Sequence, residues 1–182
     1  RTDTWNDVTH YGSMMSDTLV KVALIAVVGG VMIAVWRRWH DGAFLAVAVI
    51  VESSVFVLTS FVVGRDRPPV EQLDAVPPSG SFPSGHTAAA VAFYGGLYVV
   101  TRWHTTNRAI RGVMLAIAIV VPLTVASSRA YRGMHHVIDV SAGAALGFAT
   151  LAVVAWALRT GCDELDSRSR DGAAVYPDHT RH

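Results

Sequence analysis

Long apolar stretches separated by short polar ones divide the chain. Leu19 to Trp36 and Ala43 to Val63 are each long enough to cross a bilayer as a helix, which takes about 20 mostly apolar residues. Ala88 to Trp103 is shorter, but small residues after His86 extend it. Val113 to Ser127 is also short and contains Pro122, which a membrane helix tolerates when its neighbours satisfy the freed carbonyl. Val137 to Leu158 is long and is broken only near its start, by Asp139. The pattern predicts an all-α, polytopic transmembrane bundle with five spanning helices in this chain. Three units follow: an extracytoplasmic or interfacial segment over residues 1–18, a membrane domain over 19–158, and a flexible cytoplasmic tail over 159–182. Trp5 to Asp17 is expected to form a short interfacial helix.

Arginine placement orients the bundle, because cytoplasmic loops are enriched in Lys and Arg. The Arg37-Arg38 pair, the loop carrying Arg102, Arg108 and Arg111, and the tail beyond Arg159 fall on one side, read as cytoplasmic. Segments near Arg67, His86 and His135 then share the extracytoplasmic face.

Composition agrees with a membrane protein. The chain of 182 residues is 52% hydrophobic and 16% charged, against about 25% charged in soluble domains. A net charge of +1, with basic residues scattered between apolar segments, gives no footprint for nucleic acid. The single cysteine, Cys162, excludes an intrachain disulfide and a CxxC metal site. One lysine, Lys21, against many arginines fits a high-GC bacterial genome. The chain opens on Arg1 without an initiator methionine or a signal peptide, which points to a missing N-terminal part.

Candidate chemistry gathers at the ends of the apolar segments. His135 and Asp139 are four residues apart where a helix begins, so on a helix they share a face. A carboxylate there can hold one imidazole nitrogen and leave the other for an electrophile; equally, Asp139 can be a plain helix-start carboxylate and His135 an interfacial residue. His136 would lie about 100° further around the helix. A metal site on His135 and His136 lacks further ligands at a suitable spacing. Pro83-Ser84-Gly85-His86 forms a turn into the third apolar segment. There Gly85 can turn backbone N–H groups toward an anion, Ser84 adds a hydroxyl, and His86 can give up a proton; a proline-glycine loop with a capping serine reads the same. Arg67 and Arg129 offer planar forks suited to phosphate oxygens, although each alone reads as an interfacial anchor, as do Arg65 and Arg132. Glu52 sits mid-segment, where an ionised group costs about 3 kcal/mol or more, and is expected to turn inward and hydrogen-bond another helix. Gly143 and Gly147 form a GxxxG step suited to close helix packing.

Arg67-Pro68, then Pro83-Ser84-Gly85-His86, then Ser128-Arg129 followed by His135 and Asp139 resemble, in order and spacing, the type 2 phosphatidic acid phosphatase superfamily. That superfamily includes membrane lipid phosphate and polyprenyl pyrophosphate phosphatases, vanadium haloperoxidases and acid phosphatases. The resemblance covers about residues 20 to 158. It implies that His135 is a nucleophile forming a phosphohistidine, Asp139 its orienting partner and His86 the acid for the leaving group. It implies a phosphate cradle of Arg67, Ser84, Gly85 and Arg129, with no metal and no cofactor. The partners it implies are the bilayer and a lipid phosphate or polyprenyl pyrophosphate; the location is the cell membrane, with the site on the outer face. Family members commonly have six helices, so the sixth is expected before Arg1. Where the family's first motif carries a lysine, this chain has Ser60, and whether Arg65 substitutes is open. A lipid phosphotransferase, or a non-catalytic relative that binds phospholipid headgroups, remains the alternative.

Overall fold

The computed structural model describes residues 1–15, 18–36, 39–76 and 78–175. Among these there is no strand, and the chain forms six helices: α1 (Asp3–Met14), α2 (Thr18–Trp36), α3 (Trp39–Val63), α4 (Gly85–His104), α5 (Arg108–Tyr131) and α6 (Val137–Val175). Their starts follow from capping chemistry. Thr2 accepts from Trp5 N ahead of α1, Ser84 accepts from Thr87 N ahead of α4, and Asn107 accepts from Ala109 N and Ile110 N ahead of α5. Each occupies donors that the first helical turn leaves unpaired. The expected interfacial helix is α1, with Trp5 and Tyr11 exposed; Ser16 and Asp17 lie outside the described residues.

The expected count of five spanning helices is not confirmed. Among the described residues, three helices are long and apolar enough to cross a membrane: Trp39–Val63, Arg108–Tyr131 and Val137–Leu158. The expected third span, now α4, falls short because Gly, His, Thr and Arg dilute its apolar residues. Its position explains how it can afford them. α4 packs against α3, α5 and α6, so its surface meets protein rather than lipid. Ala88, Ala89, Ala90, Val91, Ala92 and Phe93 are all buried along it. The Leu19–Trp36 stretch is helical as α2, though many of its side chains fall outside the description. α6 does not stop near Leu158: with no proline before Val175, it continues as helix through most of the expected flexible tail, and residues 176–182 lie outside the described part.

Two apolar clusters hold the bundle. Phe44, Leu45, Ala48, Val100, Leu151 and Val154 join α3, α4 and α6 at one end. Ala90, Phe93, Tyr94 and Val125 join α4 to α5 nearer the middle. At the end where α3 begins, His104 Nε2 and Asp41 Oδ2 meet at 2.7 Å and tie α4 to α3. The opposite end collects residues 64–84, the start of α4, the end of α5 and the start of α6. All three candidate clusters are there.

Candidate active site

Ser84 and Gly85 set where α4 begins. Ser84 is fully buried, and its Oγ lies 3.0 Å from Thr87 Oγ1 while capping Thr87 N. It therefore serves as an N-cap and does not line the cavities next to the histidines. Gly85 is the first helical residue. A Cβ there would stand 2.9 Å from the Phe56 ring, so glycine is what lets α3 approach the head of α4. Ser84 N donates to Asp139 O at 2.9 Å, which joins this turn to α6.

The start of α6 corrects one expectation. Helix α6 begins at Val137, so His135 precedes it and the shared-face spacing with Asp139 does not apply. Asp139, three residues into the capped turn, reaches back to His136: its Oδ2 accepts from His136 N at 2.8 Å and lies 3.1 Å from His136 Nδ1. This is the returning half of a capping box. Its Oδ1 accepts from Arg65 Nη1 at 3.1 Å. Asp139 is thus held by Arg65 and His136 rather than hydrogen-bonded to His135, and Arg65 is no mere interfacial anchor.

His135 is held by backbone instead. Its Nδ1 lies 2.7 Å from the carbonyl oxygen of Ser81. A carbonyl only accepts, so Nδ1 carries the hydrogen and the lone pair of the neutral ring is on Nε2. Ser81 is itself fixed, donating from N to Arg65 O at 2.7 Å and from Oγ to Asp66 O at 2.8 Å. Burial, followed by the charges of Arg129 and Arg67, pushes the His135 imidazole down to about 4, against the Ser81 hydrogen bond and the Asp139 charge. His135 is neutral at neutral pH, as a nucleophile must be.

Arg67, Gly85, His86, Arg129 and His135 line one cavity of about 370 Å³, together with Glu52, Ser53, Phe56, Val57, Ser79 and Gly80. Five of the seven sequence-chosen site residues therefore converge, while Ser84 and Asp139 stand behind them. Arg67 Nη1 donates to Met134 O at 2.7 Å and Nη2 to Ser79 O at 3.2 Å, which fixes the guanidinium; its Nε is buried and has no hydrogen-bond partner. Desolvation lowers the Arg67 pKa, opposed by Asp139, yet leaves the group a cation. Arg129 donates from Nη1 to Asp74 and to Ser13. The turn into this region needs Gly133, whose φ is +75°.

Several residues here carried no sequence signal. Ser81 acts through its carbonyl and Asp74 through a loop contact, and neither has a motif. Arg132, expected at the interface, is buried and grips Asp74. Glu52 was visible as a buried acid, but its place on the cavity wall follows only from how α3 packs; its Oε2 accepts from Ser53 Oγ at 3.2 Å. Ser60 is buried, lines a neighbouring cavity with Arg65 and Arg67, and its Oγ has no hydrogen-bond partner.

Fold and site together define a helical membrane protein with a basic, histidine-containing cavity of a size and charge suited to an oxyanion. Residues 41–161 match the PAP2 superfamily, and the chain belongs to it. Among solved structures, the chain is similar to a transmembrane PAP2-type phosphatidylglycerolphosphate phosphatase from Bacillus subtilis, at 26% identity and a TM-score of 0.79, over 90% of this chain and 79% of that one. It shares its fold with LpxE from Aquifex aeolicus, at 21% identity and a TM-score of 0.63, over 85% of this chain and 87% of that one. None of the curated proteins matches the chain.

Proposed function

We propose that this chain is an integral membrane phosphatase that removes the terminal phosphate of a lipid phosphate or polyprenyl pyrophosphate through a phosphohistidine. The observation that carries this is the state of His135: Nδ1–H spent on Ser81 O, the lone pair left on Nε2, and Arg67, Arg129 and His86 around the same cavity. His135 Nε2 attacks phosphorus and the P–O bond to the lipid breaks. The leaving oxygen takes a proton from His86. Water, losing a proton to His86, then displaces His135 from phosphorus and inorganic phosphate departs. Arg67 and Arg129 stabilise the equatorial oxygens where negative charge gathers. Asp139 acts by charge on the imidazolium of His135 rather than by a hydrogen bond, while anchoring Arg65 and the start of α6.

The membrane location supports a lipid substrate. Glu52, Ser53, Phe56 and Val57 of the apolar helix α3 form one wall of the cavity, so a lipid can present its headgroup there while its chains stay among the helices. The Bacillus subtilis neighbour is described as acting on phosphatidylglycerolphosphate. The arginine-rich loops favour an extracytoplasmic site. Phosphate release by the purified chain from phosphatidate, phosphatidylglycerol phosphate and a polyprenyl pyrophosphate tests the reading. Release is expected without added divalent metal, unaffected by a chelator, and lost in His135→Ala. Full release by His135→Ala rejects the mechanism. Wild-type protein that binds vanadate but releases no phosphate favours the non-catalytic relative, for which Ser60 in place of lysine speaks.

A further inference from the structure

Arg129 is held from behind by a carboxylate outside the histidine cluster. Its Nη1 donates to Asp74 Oδ2 at 2.9 Å and to Ser13 Oγ at 3.0 Å. Asp74 belongs to residues 64–84 and Ser13 to α1, so a single guanidinium nitrogen of α5 ties three parts of the chain together. The same carboxylate is gripped at two points by Arg132, Nη2 to Oδ1 at 2.7 Å and Nε to Oδ2 at 2.9 Å. Arg132 is anchored in turn on Asn6 O, Thr9 Oγ1 and Leu73 O. Arg129 and His86 also line a second cavity of about 440 Å³, with Asp74, Ser13 and His10 on its wall. The two cavities thus flank Arg129, with Asp74 on one side and His135 on the other.

We propose that Asp74 is a positioning residue of the phosphate site: clamped by Arg132 and seconded by Ser13, it sets the plane of the Arg129 guanidinium against the oxyanion held beside His86 and His135. This rests on reading that cavity as the phosphate site. A guanidinium recognises phosphate through paired, directional N–H bonds, so its plane decides how well it fits. An arginine held at Nη1 by two acceptors meets the oxyanion already oriented. Burial raises the Asp74 pKa, but the Arg132 hydrogen bond and the charges of Arg132, Arg129 and His10 outweigh it and hold the carboxyl below its ordinary range. It therefore remains an anion whenever the site is in use.

Asp74 also carries a charge that opposes an incoming anion, and the test must separate geometry from charge. Asp74→Glu keeps the charge and moves the carboxylate by one methylene; Asp74→Asn keeps the shape and removes the charge. Orthovanadate and inorganic phosphate are titrated calorimetrically into the purified full chain in detergent, well below each variant's melting temperature. Asp74→Glu is expected to bind vanadate about 10- to 100-fold more weakly, since a displacement of about 1 Å has that effect on an aligned group, and Asp74→Asn about 10-fold more weakly, since it loses the charge-assisted bonds that hold the Arg129 fork in place. Phosphate, which makes less demand on the aligned fork than five-coordinate vanadate, is expected to weaken less. Wild-type binding by Asp74→Glu overturns the proposal, as does tighter binding by Asp74→Asn, or an equal fall for both anions accompanied by a lower melting temperature, the mark of a loosened loop. Should neither variant fold, Ser13→Ala removes the other acceptor of the same Nη1 and should weaken vanadate by about threefold; unchanged affinity there overturns it. The binding comparison decides this inference even if the chain releases no phosphate from any lipid, an outcome that overturns only the catalytic reading. A wild-type chain that binds neither anion overturns both.

Discussion

Replacing Gly143 by alanine strikes the joint on which the site is assembled. A Cβ at Gly143 would fall against the carbonyl oxygen of Ser84, with the Ser84 carbonyl carbon 3.2 Å away and its Cβ 3.3 Å away. The nearest obstacles are backbone, so no side chain can swing clear. Non-bonded heavy atoms sit comfortably at about 3.5 Å, so α6 must retreat by roughly 1 Å at this level. Ser84 is also the N-cap of α4 and donates to Asp139 O, so the strain passes to both elements that carry the site. Overpacking of this kind costs about 1–3 kcal/mol. For a chain of this size, each kcal/mol is about 2–4 °C in melting temperature, so the expected loss is roughly 2–12 °C. Activity should fall further, by about 100-fold, because the reacting groups on α4 and before α6 move apart. Gly112→Ala is the control: nothing lies within 4 Å of its Cβ, and alanine favours the helix by about 1 kcal/mol. Melting in detergent and phosphate release are measured for both variants. A Gly143→Ala protein that melts and turns over like wild type would refute the claim that this contact holds the site.

The His135 imidazole, depressed to about 4 by burial and by Arg129 and Arg67, predicts that the acid limb of kcat/KM lies near pH 4 rather than 6.5. Its folded pKa is below its unfolded one, so the neutral ring favours the fold fully above about pH 6.5, and up to about 3 kcal/mol is lost as pH falls toward 4; an acid limb at 6.5 in free-enzyme kinetics would contradict the buried, neutral histidine. Ser60→Lys, at a buried position on a cavity shared with Arg67, is expected to fold and to strengthen vanadate inhibition about tenfold by adding a charge-assisted bond, and unchanged inhibition would show that position 60 does not reach the phosphate. In intact cells, a reporter cysteine near Val70 should react with an impermeant reagent and one near Thr106 should not; the reverse pattern would place the site on the cytoplasmic face.

Helix identity was legible because each segment announces itself locally. The apolar runs, the turn with its capping Ser84, and the polar breaks near residues 64–84 need no partner to be read. The count of membrane spans was less legible, because hydropathy cannot tell a helix that faces lipid from one wrapped by three others, and α4 is the wrapped one. Among the site residues, Arg67, Gly85, His86, Arg129 and His135 line one cavity. The pairing of His135 with Asp139 did not follow, since the four-residue rule presumes a helix that begins only at Val137.

Chain chemistry by itself determined an all-α apolar bundle, one end bearing every candidate group, and a complement of two histidines and two arginines fit for an oxyanion. These are properties of residue type and spacing, which survive without knowledge of neighbours. Tertiary structure decided which atom faces which. Ser81 takes His135 by a carbonyl, Arg65 and His136 take Asp139, and Asp74 takes Arg129 and Arg132, all except His136 across at least 50 residues of chain. Such contacts depend on backbone atoms, which every residue possesses, and on loop carboxylates with no periodic neighbours. Neither leaves a pattern along the chain; both exist only once the helices have packed, α6 on α4 at Gly143 and Gly147 and the end of α5 against the 64–84 segment.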